Sequence, residues 1–279
     1  MTERPAPPPP HDGAATADLV TADLATADLV ATLRAAGCVY AEDEARLLLA
    51  AARTPAELDA MVRQRVAGLP LEPILGWAEF CGLRIVVQPG VFVPRRRTEL
   101  LVRQAAALAR PGAVAVDLCC GTGAVGVALA AAVPRLELYA VDIDPDAVRC
   151  ARLNVVPAGG QVFEGDLFDA LPAGVRGRVD LVVANAPYVP TDAIATMPPE
   201  ARLHEPRVTL DGGSDGLDVQ RRAVEQAPTW LTPGGHLLIE TSRDQADRTV
   251  ELFTRRGFVA RVTTSSELDA TVVVGSWSP

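Results

Sequence analysis

From about residue 98 onward, short apolar runs alternate with longer amphipathic stretches. A helical stretch at 98–109 leads into Ala113-Val-Ala-Val-Asp117, and a second run ends at Val141-Asp142. A third lies near Gln161-Val-Phe163, and a fourth is Val179-Asp-Leu-Val-Val-Ala184. His236-Leu-Leu-Ile-Glu240 follows a Pro233-Gly234-Gly235 turn, and two more runs lie near 258–263 and 271–275. Strands this apolar, separated by helix-length segments, predict a mainly parallel sheet covered on both faces. The fold class expected is α/β: a doubly wound, seven-stranded, mainly parallel sheet.

The pattern upstream is different. Residues 1–15 contain Pro7 to Pro10 and read as a tail without regular structure. Thr-Ala-Asp-Leu then recurs at 16–19, 21–24 and 26–29. Its leucines step about 140° apart on a helix, so they share no face. The repeat reads as a leader into a helix ending at Gly37. A second helix is expected over Glu42–Ala52. Thr54, Pro55 and Glu57 mark the start of a third, which Gly68 stops. Trp77, Phe80, Leu83, Ile85 and Val87 suggest a β-hairpin turning at Cys81-Gly82. The expected organisation is a tail at 1–15, a small helical domain at 16–73, a hairpin linker at 74–94 and an α/β domain at 95–279.

Composition narrows the chemistry. The net charge is −9, which argues against nonspecific nucleic-acid binding, and all 26 basic residues are Arg. Without Lys there is no Schiff-base chemistry and no P-loop lysine. No apolar run approaches the roughly 20 residues of a membrane helix, and no signal peptide is legible. Five cysteines without C-x-x-C spacing, and three histidines without ligand spacing, predict reduced thiols and no metal. A cytoplasmic monomer is expected.

In sheets of this class, ligands bind beyond the carboxyl ends of the strands. Asp117-Leu-Cys119-Cys120-Gly121-Thr122-Gly123 ends the first strand, and its glycines allow a tight turn and close approach to a ligand. Asp142 ends the second strand, where it can accept both hydroxyls of a ribose. Asp166 follows the third, placed to accept from an adenine amino group, with Leu167 near the ring. A Gly-rich turn alone could hold a nicotinamide cofactor. The full G-x-G-x-x-G spacing is absent, however, and the three acids in register fit S-adenosylmethionine better. Cys119 and Cys120 read as small buried residues of this turn.

Asn185-Ala186-Pro187-Tyr188 follows the fourth strand, beside that turn. A planar amide-type –NH₂ is a poor nucleophile because its lone pair is delocalised. The Asn185 side-chain oxygen and the Ala186 carbonyl can accept its two N–H groups and orient it. Tyr188 offers a flat face, and in-line positioning supplies much of the rate.

With these motifs, residues 40–279 resemble the HemK/PrmC-type family of protein-(glutamine-N(5)) methyltransferases. The matching segments are Phe92-Val-Pro-Arg95-Arg-Arg-Thr98-Glu99, the Asp117 turn, Val141-Asp142-Ile-Asp-Pro145, Gly165-Asp166-Leu167-Phe168, the Asn185 segment, Glu205-Pro-Arg207 and Asp211 to Leu217. The resemblance implies S-adenosylmethionine as cofactor and a peptide-chain release factor as partner. It also implies Phe92, Arg95, Thr98 and Glu99 along the substrate path. Ala186 departs from the family's usual Pro, at a cost of about 0.4–1 kcal/mol in backbone pre-organisation. The carbonyl is kept, which predicts a working site. Glu205 and Arg207 are expected either to pair or to line the substrate channel, and Arg95 to Arg97 to form a basic patch or a solvated turn. The alternatives are methylation of an exocyclic base amine, methylation of a small molecule or peptide by a repurposed paralogue, and a binding module without activity.

Overall fold

The computed structural model describes residues 26–278. The 1–15 tail and the first two Thr-Ala-Asp-Leu copies lie outside these. The chain divides into two compact units between Leu71 and Glu72.

The first unit is helical. Helix α1 covers 26–35 and stops where Gly37 turns to φ 94°. Leu29 and Leu33, one helical turn apart, are its buried leucines, so a spacing of four buries it. Helices α2 (Ala41–Ala51) and α3 (Pro55–Val66) follow. Thr54 caps α3 by accepting from the Glu57 N–H at 3.2 Å. The Glu57 carboxylate reaches back to the Arg53 N–H at 3.0 Å, one residue before the cap itself. Arg65 joins α3 to α2 through Glu44 at 2.6 Å.

A short helix, α4 (Leu71–Leu75), precedes the hairpin β1 (Trp77–Phe80) and β2 (Leu83–Val86). Its two-residue turn, Cys81 at φ 52° and Gly82 at φ 72°, has the left-handed angles that match strand twist.

The main sheet contains β3 (Val114–Leu118), β4 (Glu137–Asp142), β5 (Gln161–Glu164), β6 (Val179–Ala184), β7 (Leu231–Thr241), β8 (Phe258–Ser265) and β9 (Ala270–Trp277). Their order is β5-β4-β3-β6-β7-β9-β8, with only β9 running against its neighbours. Helices α5 (Glu99–Leu108), α6 (Ala124–Ala132), α7 (Pro145–Val155), α8 (Pro199–His204), α9 (Asp218–Gln226) and α10 (Ala246–Arg255) complete the unit. Strand β7 starts five residues before His236, because Leu231 pairs with Val179 and the register shifts before His236 meets Leu181. Pro233-Gly234-Gly235 is thus an irregularity within the strand.

Alternate strand residues enter different cores. Val116, Leu118, Val182, Ala184 and Ile239 meet Phe168, Trp230 and Phe253 on one face. Ala115, Leu181, Val183 and Leu238 meet Leu101, Ala105 and Leu129 of α5 and α6 on the other. Burial on both faces explains why the strands lack polar alternation. Among the described residues, no helix is long and apolar enough to cross a membrane.

Candidate active site

Strand β3 pairs with β4 on one side and β6 on the other, so successive connections leave it in opposite directions. This opens a crevice at the carboxyl ends of β3 and β6. The loop after β3 lines it, with Cys119 and Gly121 at φ 55° and Gly123 at φ 76°. Gly123 also lies against α7: a Cβ there would sit 2.5 Å from Val155 Cγ2.

The two acids flanking the loop do different things. Asp142 accepts from the Gly121 N–H at 2.8 Å and from the Asp144 N–H at 2.9 Å while facing the crevice. Burial pushes its pKa up, against the pull of those amides. Asp117 is 2% exposed and accepts from the Gly126 N–H at 2.8 Å, in the first turn of α6. Burial raises its pKa to about 8. Asp117 therefore braces the loop from below. Cys119 packs on the main core, and Cys120 packs with Leu138, Ala140 and Val155. Burial pushes both thiols well up, so they stay protonated and poorly nucleophilic.

Asn185 follows β6 and faces the same crevice, as do Pro187 and Tyr188. Asn185 Nδ2 donates to Thr98 Oγ1 at 3.3 Å, which leaves Oδ1 free of that contact. Ala186 is 1% exposed, with its methyl in the main core. The backbone of Tyr188 is held by Gln245 Nε2 at 2.9 Å. Burial raises the phenol to about 12, so it stays protonated.

Phe92, Arg95, Thr98, Asp117, Cys119, Cys120, Gly121, Thr122, Asp142 and the Asn185–Tyr188 segment all meet at the crevice. Four expected residues do not line it. Gly123 begins α6 behind the loop. Asp166 pairs with Arg222 at 2.5 Å, and Leu167 is 5% exposed in the main core. Glu99 leaves the crevice for the hairpin turn, where it accepts from the Cys81 N–H at 3.4 Å and meets Arg103 at 3.1 Å.

Sequence reasoning overlooked a set of paired charges. Arg97 meets the buried Glu240 at 3.3 Å, while Arg95 pairs with the buried Glu205. Arg96 points away, 3.7 Å from Glu267. The three arginines are therefore neither a uniform patch nor a solvated turn. Arg207 binds Asp211 at 3.0 Å and does not pair with Glu205. A legible signal for Glu240 existed: a carboxylate directly after the apolar run Leu237-Leu238-Ile239 of a buried strand needs a cationic partner.

Residues 82–214 match the Methyltransferase small domain family. The release factor glutamine methyltransferase of Mycolicibacterium smegmatis is 40% identical over 261 residues, 91% of this chain and 92% of that one. This chain belongs to the release factor glutamine methyltransferase family. A 4-amino-L-phenylalanine/4-methylamino-L-phenylalanine methyltransferase of Streptomyces pristinaespiralis is 39% identical, over 70% of this chain and 69% of that one. A methyltransferase structure from Pyrococcus furiosus has the same fold, at TM-score 0.55 and 16% identity, covering 71% of this chain and 90% of that one.

Proposed function

We propose that this protein transfers a methyl group from S-adenosylmethionine to the side-chain amide nitrogen of a glutamine in a peptide-chain release factor. The observation that carries the proposal is the Asn185 amide, held through Nδ2 by Thr98 at the mouth of the same crevice as the Asp142 loop.

The lining fits the cofactor. Gly121, at φ 55° and without a side chain, lets the loop backbone come close to a ligand. Asp142 presents a carboxylate to a ribose, and the exposed Ile143 an apolar surface to a base. When bound, the cofactor supplies an electrophilic methyl on a sulfonium. The protein does the rest. Asn185 Oδ1 and the Ala186 carbonyl accept the two N–H groups of the substrate amide and aim its nitrogen. Tyr188 holds the amide plane as a neutral phenol. An amide nitrogen becomes strongly acidic as it is alkylated, so its proton leaves to solvent without a strong base. Ala186 keeps this geometry because its methyl points into the core and its carbonyl is what the reaction uses. We further propose that the protein acts as a cytoplasmic monomer and does not use nucleic acid as substrate.

The aminophenylalanine relative makes an aromatic amine the competing acceptor. The test supplies labelled S-adenosylmethionine with a release factor or with 4-amino-L-phenylalanine, with tRNA and DNA as further arms. A methylated glutamine in a release-factor peptide is the expected result, and label confined to any other acceptor would overturn it. Asn185→Ala should abolish turnover while leaving cofactor affinity nearly unchanged.

A further inference from the structure

An Asn side chain has two faces that differ only in which atom is a donor and which an acceptor, and rotating the amide by half a turn exchanges them. Methylation of an amide nitrogen requires Oδ1 of Asn185 to face the substrate. In the reversed orientation an N–H would meet the substrate N–H, and the site would repel the group it must hold. Thr98 touches Asn185 at 3.3 Å but cannot choose the orientation alone, since a hydroxyl both donates and accepts. The choice depends on where the hydroxyl proton goes.

Glu240 supplies that direction. It lies near the end of β7, one residue past Ile239, the partner of Ala184, and so is level with Asn185, which follows the neighbouring strand. It is 1% exposed and does not line the crevice. The Arg97 guanidinium meets its Oε1 at 3.3 Å, while Oε2 is buried without a hydrogen-bond partner and is open to the Thr98 and Tyr188 hydroxyls beside the carboxylate. An ionised carboxylate only accepts. A Thr98 hydroxyl that donates to Glu240 has only acceptor capacity left for Asn185, and only Nδ2 satisfies it.

We propose that Glu240 is a positioning residue that acts through the Thr98 hydroxyl to orient the Asn185 amide with its oxygen toward the substrate nitrogen. This deepens the functional reading above and rests on it. Burial raises the Glu240 pKa, and Arg97 pulls against that rise in favour of the carboxylate. A protonated Glu240 could itself donate to Thr98, and the orientation would then no longer be imposed.

The test uses Glu240→Gln and Thr98→Val in the full chain, with Thr98→Ser as the conservative control. Glu240→Gln is expected to lower kcat about 100-fold, in the range seen when one transition-state hydrogen-bonding group is lost. KM for the release factor and affinity for S-adenosylmethionine by calorimetry should shift little. Thr98→Val should match it, and Thr98→Ser should recover most of the lost kcat. The kcat of wild-type protein should fall as acid protonates Glu240, and that limb should vanish in Glu240→Gln. Wild-type kcat with an unchanged acid limb in Glu240→Gln would overturn the inference. So would loss of kcat in Thr98→Ser equal to that in Thr98→Val. If Glu240→Gln fails to fold, Thr98→Val against Thr98→Ser decides alone. A wild-type protein that never labels glutamine would instead fail the functional reading.

Discussion

The Gly121 N–H donates to the Asp142 carboxylate at 2.8 Å, tying the loop after β3 to the end of β4. One side chain thus shapes the loop and faces the crevice. Asp142→Asn removes the charge at nearly constant volume. It is expected to weaken S-adenosylmethionine binding about 10- to 100-fold, as for loss of a charged hydrogen-bond partner worth roughly 1.5–3 kcal/mol. Burial raises the Asp142 pKa, so wild-type affinity should fall with acid through that raised value. The Asn variant should lack this limb. Calorimetric titration across pH checks both.

Asp117 predicts an unusual pH dependence of stability. Its pKa in the folded protein is about 8, against an ordinary 3.8. The folded state therefore holds a proton that the unfolded chain releases. The stabilisation is fully present below about 3.8 and is lost as pH rises toward about 8. Asp117→Asn keeps an acceptor for Gly126 N–H and carries no titratable proton. Thermal melts should show a Tm that declines less steeply across this window in the variant than in wild type.

Gly123→Ala should destabilise the protein and weaken cofactor binding together. The position has φ 76° and its new Cβ would meet Val155 Cγ2 at 2.5 Å. The backbone angle alone costs about 1–2 kcal/mol, and the clash adds to it. Urea denaturation with parallel calorimetry measures both. Val155→Ala should restore part of the loss by removing the methyl that is struck.

Arg222 and Asp166 pair at 2.5 Å with both side chains more than 40% exposed. Such a pair contributes about 0–1 kcal/mol. Arg222→Ala should therefore leave the urea midpoint nearly unchanged and leave or improve affinity for S-adenosylmethionine by freeing the carboxylate. Asp166→Ala should lower that affinity if Asp166 turns to meet the adenine amino group. Equal affinity loss in both variants would show that the pair, and not the free carboxylate, serves the site.

The sheet was legible because burial on both faces leaves no polar alternation to confuse strand with surface. Val179–Ala184 was read to the residue for that reason. Leu231 was missed as the start of β7 because Pro233 and two glycines carry the local signature of a turn, and only pairing with Val179 overrides it. Within the site, Asn185, Tyr188 and Asp142 were legible from residue chemistry at strand ends. Glu99 was misplaced because adjacent helical residues point about 100° apart, so Thr98 can line a crevice that its neighbour leaves. Asp166 was placed at the correct strand end, but its partner Arg222 lies 56 residues away.

By itself, the sequence determined the α/β class and the placing of the glycine-rich loop after β3 and of Asn185 to Tyr188 after β6, because each depends on local periodicity or a few contiguous residues. Only the tertiary structure decided which charges meet. Arg95, Arg96 and Arg97 are chemically alike and adjacent, yet they reach Glu205, Glu267 and Glu240 on three different segments. A long flexible side chain finds its partner through the packing of distant elements, and no local pattern encodes that choice. The contact of the Asn185 amide is of the same kind, since the Thr98 hydroxyl it meets lies 87 residues away in the chain.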